Sequence, residues 1–255
     1  MPSIVIDANG LISRILSNYF LHLGKHPDIK LIWSDSLLHE VEKNLRKKSR
    51  NAEACHQFVQ TMKSYHPDAN IDVSDTDVEK LRKQRTGVDD GGTHILATAI
   101  TGEADILATD NTPDFEAARD WMQEHYGIKL MEHGELLAML FTEFPEPSVD
   151  VHRYLLTGNY AAQGQQHMLD TMRRATKTAE MAIEALENAL VDLDDHEDNV
   201  EDIEAAMTVA YSDGKERIAA RQREAAQRLG SQDIRWVGPV TRKDGTFVAG
   251  YLQRR

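Results

Sequence analysis

Short apolar runs alternate with helical patterns along the first half of the chain, and this alternation constrains the fold more than any other feature. The runs Ile4–Ile6, Leu31–Trp33 and Ile106–Ala108 are typical of buried strands, and helical spacing of apolar residues lies beside each of them. The segment IKLMEHGELLAML, residues 128–140, repeats the strand and helix once more. Strands that alternate with helices form a mostly parallel sheet flanked by helices. The sequence therefore predicts an α/β fold.

The second half of the chain has a different pattern. Residues 151–227 are rich in Ala, Glu, Met, Arg and Leu, and their apolar residues recur at helical spacing. The final segment IRWVGPVTRKDGTFVAGYLQRR indicates a short terminal β-hairpin, because Asp-Gly between β-rich runs is a strong turn signal. Prolines near residue 145 mark a boundary. We predict one domain at residues 1–145 and a mainly helical extension with a basic tail at residues 146–255.

The charge of the chain is distributed unevenly. The formal net charge of −13 argues against a generally basic nucleic-acid-binding protein. Residues 215–255, however, contain ten Lys and Arg against four Asp and Glu. This tail either contacts RNA through phosphates and a stacked base or serves as a module for dimerisation or partner docking. The residues predicted to contact RNA are Arg235, Trp236, Arg242, Lys243, Arg254 and Arg255.

Cysteine usage and hydropathy bear on the cellular compartment. Cys55 is the single cysteine, so the chain cannot form an internal disulfide, which suits a reducing cytosol. No run of 18 apolar residues predicts a transmembrane helix. The opening segment MPSIVIDANG does not have the pattern of a signal peptide. We therefore expect a cytoplasmic protein that does not act at a membrane.

Acidic side chains gather where the predicted strands end. Ligands bind to open α/β sheets at the carboxyl ends of the strands. Grouped carboxylates repel one another unless a cation neutralises them, and oxygen ligands alone suit Mg²⁺ or Mn²⁺. Such an ion can activate water against a phosphodiester. The acids that could meet at this edge are Asp7, Glu40, Asp89, Asp90, Asp110 and Asp114.

Each of these acids also has a plainer structural interpretation. Asp7 and Asp114 could serve only as helix N-caps, and Glu40 could be a solvated helix residue. Asp105 precedes its strand and so lies at the wrong end for the site. His94 is more typical of a core histidine than of a metal ligand.

The segments VIDANGLIS, SLLHEVEKNL, HILATAI and ADILATDNTPDF, in that order, resemble the motifs of the PIN domain, the metal-dependent ribonuclease fold of VapC-type toxins. The resemblance covers about residues 1–145. It implies a PIN-like fold and an Mg²⁺- or Mn²⁺-dependent ribonuclease. The residues implied as catalytic are Asp7, Glu40, Asp90, Asp110 and Asp114, with metal ligands Asp7, Glu40, Asp90 and Asp110 and supporting groups Asn9, Thr109 and Asn111.

The sequence departs from the family pattern at one position. The family usually has an acid in the first turn of the helix that leads into HILATAI, and that position falls on Gly92 or Thr93. The nearest acids are Asp89 and Asp90. Either one of these two reaches the metal, or one ligand is absent.

These observations lead to two hypotheses about function. The first is an endoribonuclease that forms the toxin half of a toxin–antitoxin pair, with RNA as substrate, a cognate antitoxin as partner and a homodimer as a possible assembly. The second is a catalytically weakened PIN-like scaffold that binds RNA or protein.

Overall fold

The computed structural model describes residues 1–48, 51–84, 88 and 90–194, together with the strand segments 234–237, 240–241, 247–248 and 251–254. The chain divides into two compact units, Met1–Leu193 and Asp194–Arg255.

A five-stranded parallel sheet forms the centre of the first unit. Its strands are β1 (Ser3–Ile6), β2 (Lys30–Ser34), β3 (Asn70–Ile71), β4 (Ile106–Ala108) and β5 (Lys129–Met131). The spatial order is β3-β2-β1-β4-β5, and every neighbouring pair is parallel. The predicted parallel sheet is confirmed. Strand β3 was not predicted, because a strand of two residues carries no periodic signal.

Helices connect and cover the strands. Those of the sheet domain are α1 (Ala8–Ile12), α2 (Arg14–Leu23), α3 (Asp35–Lys48), α4 (Ala52–Tyr65), α5 (Asp75–Lys83), α6 (Asp90–Thr101), α7 (Thr112–Phe115), α8 (Arg119–Tyr126) and α9 (His133–Glu143), with a 3₁₀ turn at Glu116–Ala118. Three further helices follow, which are α10 (Pro145–Thr157), α11 (Gly164–Ala175) and α12 (Ala179–Asp194). None of the helices in the described part of the chain has the length and apolar character needed to cross a membrane.

Strand β1 lies at the middle of the sheet, and it is here that the order in which strands are added to the sheet reverses. From β1 the chain builds β2 and β3 on one side and then returns to build β4 and β5 on the other. All four residues of β1 are buried, as expected for a strand covered on both faces. In open α/β sheets, ligands bind at such a switch point, outside the carboxyl ends of the strands. Here that position lies between the ends of β1 and β4.

The opposite, amino-terminal edge of these two strands is fixed by Asp105. Its Oδ2 accepts hydrogen bonds from the backbone N of Ser3 (2.8 Å) and from Ser3 Oγ (2.7 Å). These hydrogen bonds lower the pKa of the Asp105 carboxyl below its usual value. Asp105 therefore joins β1 to β4 at the edge remote from the switch point.

The helices after residue 145 belong to the same compact unit as the sheet. Their buried residues continue the core of the sheet domain, and α2 packs against both α10 and α11. The residues that fill this part of the core are Leu155, Tyr160, Met168, Leu169, Met172, Ala179, Ala182, Ile183 and Leu186. The compact unit thus extends to Leu193, whereas the sequence predicts a boundary near 145. Prolines mark the start of α10 rather than a linker, because proline is well tolerated in the first turn of a helix.

The second unit contains four short strands among its described residues. Strand β6 (Ile234–Val237) pairs antiparallel with β9 (Tyr251–Arg254), and β7 (Val240–Thr241) pairs antiparallel with β8 (Phe247–Val248). The β7–β8 pair flanks the predicted Asp-Gly turn, so antiparallel strands occur where the hairpin is predicted. The Lys-Asp-Gly residues themselves lie outside the described residues.

The shared core predicts that α11 and the sheet unfold together. Met172 is fully buried, so Met172→Ala should lower the free energy of unfolding by about 2–5 kcal/mol. The matched change Met181→Ala, at a side chain that is 50% exposed, should stay within about 0.5 kcal/mol. Urea unfolding followed by the fluorescence of Trp33 and Trp121, in a Trp236→Phe background, measures both effects. An unchanged fluorescence midpoint in Met172→Ala would show that the extension folds separately from the sheet.

Candidate active site

Asp7 stands at the switch point and is almost completely buried, with 3% of its surface exposed. It follows β1 directly and caps α1, because its Oδ1 accepts a hydrogen bond from the backbone N of Gly10 at 2.8 Å. Thr109, at the end of β4, donates from Oγ1 to Asp7 Oδ2 at 2.6 Å. The structural role as an N-cap is therefore real, but it uses only part of the hydrogen-bonding capacity of this carboxylate.

His133 completes the surroundings of Asp7. It is the first residue of α9, whose start is fixed by a capping box between Glu132 and Glu135. Its ring is 1% exposed, and the ring nitrogens lie 3.1 Å from Asp7 Oδ1 and 3.2 Å from Asp110 Oδ1. Burial by itself lowers the pKa of His133, but the hydrogen bonds to Asp110 and Asp7 outweigh it and raise this pKa to about 9. Both ring nitrogens are then donors, and a buried imidazolium bridges the two carboxylates.

Asp110 is turned towards His133 and towards the extension. Its Oδ1 accepts hydrogen bonds from the backbone N of His133 (2.9 Å) and from Thr176 Oγ1 (3.0 Å), in addition to the contact with the ring. Burial raises the pKa of the Asp110 carboxyl, but the hydrogen bonds and charge of His133 lower it below its usual value. Asp110 Oδ1 is therefore linked to Asp7 through His133, and a metal-ligand role for the other oxygen of Asp110 stays a prediction.

Glu40 takes part in a separate pair. It lies on α3, and its Oε2 is 3.0 Å from His94 Nε2 on α6. Both side chains are partly exposed, at 31% for Glu40 and 22% for His94. His94 is thus the partner of a predicted catalytic acid and not simply a core histidine.

Glu40 and His94 line a groove of about 970 Å³. The groove runs between α3 and α5 and is also bordered by Gly91 at the start of α6. Among the described residues of its lining, five cationic side chains stand against three acids, whereas the whole chain has more acids than cations. The cationic residues are Lys43, Lys47, Lys80, Arg82 and Lys83. The described part of the groove lining is therefore locally basic beside Glu40, although the chain as a whole is acidic.

The remaining predicted residues lie around the same edge of the sheet. Asp114 is in α7, and Asn111 Nδ2 donates to its Oδ2, while Asn111 and Asn9 are exposed. Helix α6 begins at Asp90, so this acid lies in the first helical turn, two residues before Gly92. The side chain of Asp90 and all of Asp89 lie outside the described residues.

The residues predicted to contact RNA belong to the second unit. Arg235 and Trp236 are on β6 and Arg254 is on β9, where only the backbone is described. Arg242, Lys243 and Arg255 lie outside the described residues.

A family model for the PIN domain matches residues 3–113, which include β1 to β4 and both Asp7 and Glu40. Residues 3–113 form a PIN domain. Neither a curated protein nor a solved structure matches the chain. The PIN domain is a nuclease-type fold whose members typically use divalent metal ions. The match stops before β5, so neither His133 nor Thr176 is part of it.

The PIN domain supplies the kind of ligand that a hard cation prefers, but not a complete set. Among the described residues, Asp7 Oδ2 accepts one hydrogen bond, and one oxygen each of Glu40 and Asp114 has a bonded partner, so each carboxylate retains acceptor capacity there. Carboxylate oxygens suit Mg²⁺ and Mn²⁺. Among the side chains that the structure describes, however, no group of three His, Cys, Asp or Glu residues is placed to hold an ion. The donor chemistry of these residues fits a hard divalent cation.

Two residues of the site, His133 and Thr176, were missed by sequence reasoning. His133 is the second residue after β5, so the strand-end rule that found the acids could also have found it. Thr176 lies in a turn between two helices and carries no signal of charge or periodicity.

The bridging imidazolium predicts a pH dependence of stability. Because the pKa of His133 is raised from 6.5 to about 9 on folding, its contribution is fully present below about pH 6.5 and is lost as the pH rises through about 9. Urea unfolding of the metal-free protein between about pH 6 and pH 10 should therefore show falling stability. His133→Gln should remove most of this decline, whereas His125→Gln, at an exposed histidine, should retain it. The same decline in wild type and His133→Gln would refute a buried imidazolium.

Proposed function

We propose that this protein is a metal-dependent endoribonuclease that hydrolyses RNA phosphodiester bonds, and that it acts in the cytoplasm as the toxin of a toxin–antitoxin pair. The observation that carries the proposal is the basic groove beside Glu40. A nuclease must hold a polyanion next to its carboxylates, and cations that flank the acids offset their repulsion of the phosphates. The VapC-like motifs of the PIN domain support the toxin assignment.

The residues at this edge of the sheet would have the following roles. Asp7, Glu40, Asp90 and Asp110 would hold Mg²⁺ or Mn²⁺, with Asp114 as a further catalytic acid. Thr109 keeps Asp7 Oδ2 in a fixed orientation. When bound, the ion supplies Lewis-acid polarisation of the phosphate and a lower pKa for its water ligand.

The cations of the groove would bind the RNA backbone. Lys43 and Lys47 lie one helical turn apart on exposed positions of α3, so both project from the same face of the helix. Lys80, Arg82 and Lys83 each form an ion pair with Asp77 or Glu79 on α5, at 2.9–3.7 Å. Exposed pairs of this kind contribute little energy, so phosphates can replace the carboxylates at small cost. The substrate would thus be held between α3 and α5.

The proposal predicts that cleavage depends on Asp7 and Glu40. Changes around metal ligands commonly cost about 10- to 100-fold in activity, so loss of a ligand charge should cost at least about 100-fold. Asp7→Asn and Glu40→Gln should each show this loss with a labelled RNA pool over a titration of Mg²⁺ and of Mn²⁺. Asp28→Asn, at a side chain that is 66% exposed, serves as the matched control and should cleave as wild type does. Cleavage by Asp7→Asn at the wild-type rate would contradict the proposal.

The groove makes an independent prediction about binding. For single-stranded nucleic acid, each phosphate contact adds about 0.7 to the log–log slope of affinity against salt concentration. Lys43→Ala and Lys47→Ala should therefore each reduce this slope by about 0.7. The control is Lys129→Ala, an exposed lysine at the amino-terminal edge of the sheet. Unchanged slopes in both groove variants would show that the RNA lies elsewhere, and the same titration with DNA of equal sequence tests the preference for RNA.

The absence of a three-ligand group among the described side chains favours one second candidate, a PIN-like scaffold that binds RNA or protein without cutting it. RNA binding through Lys43 and Lys47 without cleavage at any concentration of Mg²⁺ or Mn²⁺ would select the scaffold.

A further inference from the structure

The turn between α11 and α12 is joined directly to the active-site edge of the sheet. Thr176 Oγ1 donates to Asp110 Oδ1 at 3.0 Å and accepts a hydrogen bond from the backbone N of Gly134 at 3.1 Å. Lys177 Nζ donates to the carbonyl O of Asp110 at 3.1 Å. Thr176 is 5% exposed, so water does not compete strongly for its hydroxyl. The helical extension thus holds the loop that leaves β4.

From Asp110 the contacts continue to the central carboxylate. His133 binds Asp110 through its backbone N and through ring Nδ1, and its Nε2 binds Asp7 Oδ1. Apart from the half-buried Asp110, every member of this line is buried. Thr176, Asp110, His133 and Asp7 therefore form one continuous line of hydrogen bonds, which we call the positioning line.

Two glycines allow this line to form. A Cβ at Gly10 would lie 2.6 Å from His133 Nε2, and a Cβ at Gly134 would lie 2.3 Å from the carbonyl O of Thr178. Real Cβ atoms do not approach other atoms so closely, so a larger residue would displace either the imidazole ring or the turn. Gly10 thus lets α1 approach the ring of His133, and Gly134 lets the turn at Thr178 approach the start of α9.

The positioning line also decides which oxygen of Asp7 remains available. Asp7 Oδ1 accepts from both Gly10 N and His133 Nε2, whereas Oδ2 accepts from Thr109 alone among the residues that the structure describes. A carboxylate oxygen has about two acceptor sites, so Oδ1 is fully used and Oδ2 retains one. A ring of His133 that rotated away would release Oδ1 and let the carboxylate turn.

We propose that Thr176, Asp110 and His133 are positioning residues, through which the helical extension fixes the orientation of Asp7 for the reaction. The inference rests on the proposed function only in so far as Asp7 is the reacting carboxylate. It assigns Asp110 to the support of Asp7 and makes residues 146–193 part of the active unit.

The test uses the full-length chain and the hydroxyl of Thr176. Thr176→Val keeps the shape of the side chain but removes the hydrogen bond, and Thr176→Ser restores the hydroxyl. Supporting interactions of this kind typically contribute about 10- to 100-fold to metal affinity or activity. Thr176→Val should lose cleavage and Mn²⁺ affinity by such a factor at an unchanged dissociation constant for RNA, and Thr176→Ser should recover most of both. Thr171→Val, whose hydroxyl bonds within α11, is the matched control and should equal wild type.

A further measurement reads the positioning line without any activity. The ¹⁵N signals of the His133 ring, assigned by their loss in His133→Gln, should shift in Thr176→Val and return in Thr176→Ser. Unchanged ring signals, or cleavage by Thr176→Val at the wild-type rate, would overturn the inference. The inference would also be overturned if Thr176→Val lost activity in proportion to a lowered melting temperature and Thr176→Ser did not restore that activity. A wild-type protein that neither binds Mn²⁺ nor cleaves RNA would refute the proposed function, and the ring signals alone would then decide whether the line exists.

Discussion

The carboxylate of Asp7 is the group on which the rest of the structure depends. Burial of a charge is costly unless hydrogen bonds and an opposite charge compensate for it. The compensating donors come from three different elements, which are Gly10 in α1, Thr109 after β4 and His133 at the start of α9. These three elements must therefore pack around the end of β1 if the buried charge of Asp7 is to be compensated. A site of this kind cannot be loosened at one point without consequences for the others.

Much of this arrangement could be predicted from the sequence because it follows from two simple regularities. The alternation of apolar runs and helical patterns predicts the parallel sheet, and the strand-end rule directs attention to Asp7 and to the residues after β4. The start of α6 is predicted at about Thr93, and the observed helix begins three residues earlier, at Asp90. Alternation does not give the order of the strands, however. Only the structure places β4 next to β1, which is what brings Thr109 to Asp7.

The parts that could not be predicted depend on contacts between distant segments. Thr176 and Asp110 are 66 positions apart, and neither the composition nor the spacing of the extension indicates that they meet. Apolar residues recur at helical spacing from α11 into α12 without a break. The sequence pattern therefore does not reveal the turn between these helices, which carries Thr176. The compact unit continues past the predicted boundary near residue 145 for a related reason. A change in composition marks where strands cease, but the core continues into the helices that follow.

The long separations along the chain also impose an order on when the site can exist. Thr109 lies 102 positions after Asp7, and His133 lies 126 positions after it. A chain emerging from the ribosome exposes its N-terminal segments first, so Asp7 must wait for each of its partners in turn. Thr176 is the last member of the line to appear. The newly made protein thus carries its central acid from the beginning of synthesis but cannot complete the surroundings of that acid until more than two thirds of the chain has been made.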